Sequence, residues 1–131
     1  MLCALLLAVV HSAAVTPPAV AQATPPTLQA YRTYIHPRFD PFGYAGELRI
    51  AIVNGYVIGT YRPDTGGTIA HVQGGSQGSD IWLDIPTLGG IHIQGRVQND
   101  GSISGLGTLL GPSAKQYVFT AKPEASPPPS P

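Results

Sequence analysis

Alternation of apolar and polar residues around an Asn-Gly pair is the feature that most constrains how this chain can fold. Residues 46–62 read GELRIAIVNGYVIGTYR, in which apolar side chains recur at every second position: Leu48, Ile50 and Ile52. A period of two is typical of a β-strand with one buried face. Asn54-Gly55 is a strong hairpin signal, because a type I′ turn needs positive φ at both central residues. The segment therefore predicts an antiparallel hairpin.

A two-residue turn fixes the register of this hairpin by placing Val53 opposite Tyr56. Four further pairs follow: Ile52 with Val57, Ile50 with Gly59, Leu48 with Tyr61, and Glu47 with Arg62. The apolar partners then share one face of the sheet, and Glu47 meets an opposite charge on the other face.

Two more hairpins follow from the same reasoning. The segments SDIWLDIP and GGIHIQGRVQ alternate on either side of a loop at residues 86–90, which predicts these pairs: Ile85 with Ile91, Leu83 with Ile93, Ile81 with Gly95, Asp84 with His92, Trp82 with Gln94, and Asp80 with Arg96. A bulged three-residue turn at residues 99–101 then sets Val97 against Ile103 and Gly95 against Gly105. A two-residue turn would shift the register by one and place Val97 against Ser104.

The remaining segments complete an all-β fold. Strands are expected at residues 28–35, 68–73 and 116–122, with a loop at residues 74–79, and no segment has helical periodicity. We predict a small antiparallel meander barrel of about seven or eight strands, with a two-sheet β-sandwich as the alternative. Inward-facing glycines favour the barrel, because they mark sharp bends or close backbone approach: Gly59, Gly95, Gly105 and Gly107.

Fifteen apolar side chains are expected to line the interior, and filling is favoured over an open cavity because a small domain needs that buried surface. They are Leu48, Ile50, Ile52, Val57, Tyr61, Ile81, Leu83, Ile85, Ile91, Ile93, Val97, Ile103, Leu109, Tyr117 and Phe119.

The strand order, and the segment GYAGELRIAI followed by a hairpin, resemble the up-and-down barrels of the avidin and lipocalin kind. The resemblance covers residues 43–122 and implies a closed meander barrel that can hold a small ligand. Gly43-Tyr44-Ala45 stands where lipocalins carry Gly-x-Trp, so no binding residue is carried over.

The N-terminal segment predicts export. MLCALLLAVV is continuously apolar, and Ala21 and Ala23 form an A-x-A pattern, so residues 1–23 are interpreted as a signal peptide, with a membrane anchor as the alternative. The expected location is secreted, periplasmic or cell-surface. We divide the rest into a Pro-containing arm at 24–42, a barrel domain at 43–122 and a disordered Pro-rich tail at 123–131.

Composition narrows the function classes. The chain has seven basic and seven acidic residues, so it lacks the positive charge that nucleic-acid binding needs. Its one cysteine, Cys3, lies in the predicted signal peptide, so the mature protein is expected to be free of disulfides. No phosphate-loop, zinc or nucleophile-elbow motif is present, and we expect no cofactor, no metal and no membrane span in the mature chain.

The outer face around Trp82 holds the candidate binding residues. Their polar and aromatic character suits a sugar or a protein partner; they are Trp82, Asp80, Asp84, His71, His92, Gln94 and Arg96. His71 is expected beside Trp82, and a metal cluster of His71, Asp84 and His92 depends on that register. The alternative is a plain solvated face in which Trp82 packs beneath aromatic residues of the arm: Tyr31, Tyr34 or Phe42.

Three functions follow in order of preference. The first is a non-catalytic binding module that uses the Trp82 face for glycan or protein. The second is a lipocalin-like carrier of a small apolar ligand inside the barrel. The third is a hydrolase whose site the sequence does not identify.

Overall fold

The computed structural model describes residues 26–87, 89–109 and 115–125, so the predicted signal peptide and residues 126–131 of the Pro-rich tail lie outside the described residues. Eight antiparallel strands close into a barrel in meander order, which confirms the predicted fold and excludes the sandwich. The described residues contain no helix. The strands are β1 (Gln29–Pro37), β2 (Tyr44–Val53), β3 (Tyr56–Pro63), β4 (Ala70–Gln77), β5 (Asp80–Ile85), β6 (Ile91–Val97), β7 (Ile103–Leu109) and β8 (Gln116–Pro123).

Turn chemistry and alternation set the three predicted hairpins in the expected register. Every pair proposed for β2 with β3, for β5 with β6 and for β6 with β7 is present. Asn54 has a φ of 51° and Gly55 a φ of 81°, as the type I′ turn requires. These three registers are therefore confirmed.

The fourth strand is longer than predicted. The sequence suggested a loop at residues 74–79, but β4 continues to Gln77 and the turn is only Gly78-Ser79, with Gly78 at a φ of 61°. The prediction failed because glycines carry no alternation of apolar and polar side chains. The longer strand places Gly75, and not His71, opposite Trp82.

The N-terminal segment supplies a strand of the barrel. β1 pairs with β2 on one side and with β8 on the other, so the barrel strands extend from Gln29 to Pro123. The arm therefore does not cover Trp82, and the alternative in which Tyr31, Tyr34 or Phe42 packs on that residue is wrong. Phe42 is 81% exposed in the turn that follows β1.

The interior of the barrel is filled with apolar side chains. Fifteen residues form one core, and all of them except Tyr117 are at most 2% exposed. Side chains that lined a water-sized cavity would retain accessible surface, so these low values indicate close packing. Of the predicted core, Ile52 is wrong: it lies beyond the rim, beside the Asn54-Gly55 turn, and is 50% exposed. Ile35, Val72 and Ala121 belong to the core in addition.

Candidate functional site

The outer side chains of β3 to β7 form rows that cross the strands. In one row, each residue is directly paired with the next across neighbouring strands: Tyr56, Gly75, Trp82, Gln94 and Leu106. We call these five residues the Trp82 row. Tyr56 is 71% exposed, Trp82 40% and Leu106 46%, so large apolar surface alternates with a glycine and an amide along this line.

The indole of Trp82 lies over Gly75. A Cβ added to Gly75 would overlap the six-membered ring of Trp82, so this ring occupies the space that a side chain at position 75 would take. One part of the ring is thus held against backbone, while the rest of the side chain faces solvent. An aromatic ring that covers a glycine across a strand pair is restricted in orientation, which makes it a preformed contact surface.

Two cross-strand pairs flank Trp82: an ion pair between Asp80 and Arg96, and a hydrogen-bonded pair between Asp84 and His92. Asp80 Oδ1 lies 3.1 Å from Arg96 Nε, and Asp84 Oδ1 lies 2.5 Å from His92 Nδ1. These pairs are exposed, so each contributes little to stability. Their main effect is electrostatic, because each carboxylate beside Trp82 already has a basic side chain as its partner.

Shallow grooves run beside the indole. The nearer groove, of about 290 Å³, is lined by Asp80, Ile81, Trp82, Gln94 and Gly95. A larger groove, of about 580 Å³, shares Gln94 and Gly95 and continues to Leu106 on β7. A Cβ on Gly95 or on Gly105 would overlap backbone atoms of the neighbouring strand, so β6 and β7 approach closely beneath this groove.

Six of the seven predicted site residues lie together on the outer face of β5 and β6. They are Asp80, Trp82, Asp84, His92, Gln94 and Arg96. His71 is displaced: it pairs with Thr60 on β3 and lines a separate groove of about 360 Å³ that includes Gln73 and Asp84. The expectation of His71 beside Trp82 is therefore wrong.

Sequence reasoning missed Tyr56 and Leu106. The outward direction of both follows from the predicted hairpins, since Tyr56 pairs with Val53 and Leu106 with Gln94. Their connection to Trp82 could not be found, because the expected loop at residues 74–79 removed Gly75 from the sheet. The register of β4 is what joins Tyr56 to the row.

Metal-binding geometry is not present in the described ranges, where no group of three His, Cys, Asp or Glu side chains is close enough to hold an ion. Asp84 and His92 form a pair, and Gln94 Nε2 is 3.5 Å from His92 Nε2. The cluster of His71, Asp84 and His92 therefore does not assemble, because the longer β4 changes the position of His71.

Shifted pKa values occur at three groups outside this surface. Burial raises the pKa of Tyr61 and of Tyr31, both of which pack in or against the core. Hydrogen bonds from the Ser102 side chain and backbone lower the pKa of Asp100 in the β6–β7 turn. Each shift reflects core packing or turn geometry.

Comparison with models of known protein families finds no match, and no curated protein matches the sequence significantly. Among the residues that the structure describes, no helix is long and apolar enough to cross a membrane. The function proposed below therefore rests on the geometry of the Trp82 row.

Proposed function

We propose that this protein is a non-catalytic binding module that holds a glycan on the outer sheet face centred on Trp82. The observation that carries the proposal is the position of the Trp82 ring, which is held against Gly75 and remains 40% exposed. A ring fixed before binding loses little conformational entropy when a ligand stacks on it.

A sugar matches the chemistry around this ring. The indole surface can cover the apolar face of a pyranose, while neighbouring polar groups bond its hydroxyls. Gln94 lies directly across from Trp82 and offers both donors and an acceptor. The carboxylates of Asp80 and Asp84 supply acceptors at either side and are already paired with Arg96 and His92.

The carrier hypothesis has less support. The core residues inside the barrel are almost fully buried and in contact with one another, so a small apolar ligand would need to displace them. Removing packed side chains from a core costs several kcal/mol, about 2–5 for a large apolar residue.

The hydrolase hypothesis also has less support. Asp80 and Asp84 are four residues apart on β5, which separates their backbone positions by about 13 Å. The two carboxylates of glycoside hydrolases are closer, about 5–9.5 Å. A surface that binds a sugar without cleaving it is the function that these positions favour.

The predicted signal peptide extends the proposal to location. A protein that is secreted, periplasmic or exposed at the cell surface meets glycans of cell walls, matrices and glycoproteins. The equal numbers of acidic and basic residues are compatible with a neutral ligand.

Tryptophan fluorescence can test the proposal, because Trp82 is the only tryptophan of the chain. We expect neutral oligosaccharides to change its emission, and calorimetry to show that Trp82→Ala abolishes binding. Phe39→Ala is the matched control, because Phe39 is a 94% exposed aromatic in the β1–β2 turn. Binding that survives in Trp82→Ala would refute this site, and unfolding of that variant would assign Trp82 a structural role.

A further inference from the structure

We infer that the ligand of the Trp82 face is an extended, neutral polysaccharide that crosses the strands, and that Tyr56 forms a second aromatic subsite. This inference rests on the proposed glycan-binding function and specifies the class of glycan. It follows from the spacing of the two aromatic residues, the open ends of the surface and the pairing of the local charges.

The relative position of Tyr56 and Trp82 favours a ligand that crosses the strands. Tyr56 and Trp82 lie on either side of Gly75 in the same row, two strand spacings apart. Neighbouring strands are about 4.8 Å apart, so the backbone positions of the two aromatic residues are separated by about 10 Å, and the indole of Trp82 reaches across this interval to lie over Gly75. Tyr56 and Trp82 therefore form one aromatic strip across three strands, which offers stacking surface to more than one sugar ring. Gly75 has no side chain to stand between them, and the space above it is occupied by the flat indole.

The open ends of this surface favour an extended chain as the ligand. On the other side of Trp82 the row continues through Gln94 to Leu106, and both residues line the groove of about 580 Å³ between β6 and β7. Both ends of this path lie on the outer surface of the barrel, since Tyr56 and Leu106 are exposed. A path open at both ends accommodates the interior of a chain, whereas recognition of a terminal sugar calls for a closed pocket.

The charges around Trp82 favour a neutral ligand. Arg96 balances Asp80, and His92 is hydrogen-bonded to Asp84. Two carboxylates face one guanidinium and one imidazole, so these four side chains carry no net positive charge. Acidic sugars such as uronic or sialic acids would meet two carboxylates with no excess of positive charge to bind them, whereas uncharged hexose or N-acetylhexosamine units need no such charge.

The test compares chain lengths by calorimetry. The probes are glucose and N-acetylglucosamine, the hexasaccharides of cellulose, amylose and chitin, and a hyaluronan hexasaccharide as the acidic comparison. We expect at least one neutral hexasaccharide to bind about tenfold or more tightly than its monosaccharide, and the hyaluronan fragment to bind more weakly. A tenfold ratio corresponds to about 1.4 kcal/mol, which we assign to the added aromatic contact with Tyr56.

Variants locate the second subsite. Tyr56→Ala should weaken hexasaccharide binding about tenfold and leave monosaccharide binding unchanged, while Tyr56→Phe should keep both. Trp82→Ala should abolish both, and Phe39→Ala should alter neither. Because Tyr56 is 71% exposed, its replacement should leave the melting temperature nearly unchanged, which circular dichroism can verify.

The outcomes separate this inference from the proposed function. Equal affinity for monosaccharide and hexasaccharide, or wild-type binding by Tyr56→Ala, would overturn the extended-chain assignment, while loss of binding in Trp82→Ala would still support a glycan site. Preference for hyaluronan would overturn the neutral assignment. Absence of binding to every neutral hexasaccharide would overturn the inference, and sugar binding insensitive to Trp82→Ala would overturn it together with the proposed site.

Discussion

Gly74 and Gly75 are neighbours on β4 whose missing side chains serve opposite faces of the sheet. A Cβ on Gly74 would overlap the backbone carbonyl of Trp82, whereas a Cβ on Gly75 would overlap the ring of Trp82. Backbone can yield only if the strand pair separates, while a ring can rotate away. Two adjacent glycines therefore have different functions: one permits β4 and β5 to approach, and the other provides a seat for the indole.

Alanine substitutions should distinguish these functions. Gly74→Ala should lower the free energy of unfolding by about 1–3 kcal/mol, as expected when an extra group is forced into packed structure. Gly75→Ala should cost less stability but should displace the indole, which would shift tryptophan emission to longer wavelength and increase quenching by acrylamide. Urea unfolding and fluorescence measure both effects. Unchanged emission in Gly75→Ala would contradict the seating of Trp82.

Ionisation of Tyr61 should destabilise the barrel at high pH. Burial raises its pKa above the ordinary value of 10.0, so the folded state retains the phenol proton after the unfolded chain has lost it. Its stabilising contribution is complete below pH 10.0 and is lost as the pH rises through the higher folded pKa. Tyr31 is shifted in the same direction, so part of the effect will remain without Tyr61.

We therefore expect Tyr61→Phe to lose less stability than the wild type between neutral and alkaline pH. At neutral pH the variant should differ from the wild type by no more than about 1 kcal/mol, because the buried ring is retained and only the hydroxyl is removed. Melting temperatures across the alkaline range measure the difference, with Tyr56→Phe as a control that removes an exposed hydroxyl. Parallel pH profiles for wild type and Tyr61→Phe would contradict the prediction.

At the level of elements, alternation determined what could be read from the sequence. The hairpins β2–β3, β5–β6 and β6–β7 carry apolar residues at every second position and a turn of fixed length, so their registers and most of the candidate site were predictable. β4 was not, because the glycines at positions 74 and 75 leave no pattern, and the link from Tyr56 to Trp82 passes through that strand. Closure by β1 depends on pairs remote in sequence, which local patterns do not specify.

β1 should be indispensable to the fold. A chain that begins at Gly43 lacks the partner of both β2 and β8, so it would expose two strand edges. We expect it to aggregate or to unfold without a cooperative transition, while a chain that begins at Pro26 should melt like the full protein. Size-exclusion chromatography and thermal circular dichroism would decide, and a monomeric, cooperative protein beginning at Gly43 would contradict the role of β1.

The molecule as a whole is a solid barrel, and the surface that we propose for glycan binding lies on its outside. The core side chains occupy the interior, while the Trp82 row and its ion pairs lie on the outer face of one side. Stability and binding are thus assigned to opposite faces of the same strands. Changes to the outer face can alter the ligand without removing the packing that maintains the fold.

A cavity made in the core should therefore be costly. Phe119 is fully buried, and Phe119→Ala should lower the free energy of unfolding by about 3–5 kcal/mol. Leu106→Ala, on the exposed row, should change it by less than about 1 kcal/mol. Chemical denaturation of both variants measures the contrast, and a small loss in Phe119→Ala would indicate an interior with free space and revive the carrier hypothesis.

The two ends of the barrel meet in space, since the backbone N–H of Glu124 donates to the carbonyl of Ala30 at 2.8 Å. Each strand pairs with the strands before and after it in the chain, and β8 pairs with β1, which closes the sheet. A loop joins the two strands of every neighbouring pair except β8 and β1. Joining the two ends with a short linker and opening the chain at another turn would preserve every strand pair. The fold therefore does not depend on which strand comes first in the chain. A circular permutation could place the Trp82 row near either terminus of the new chain.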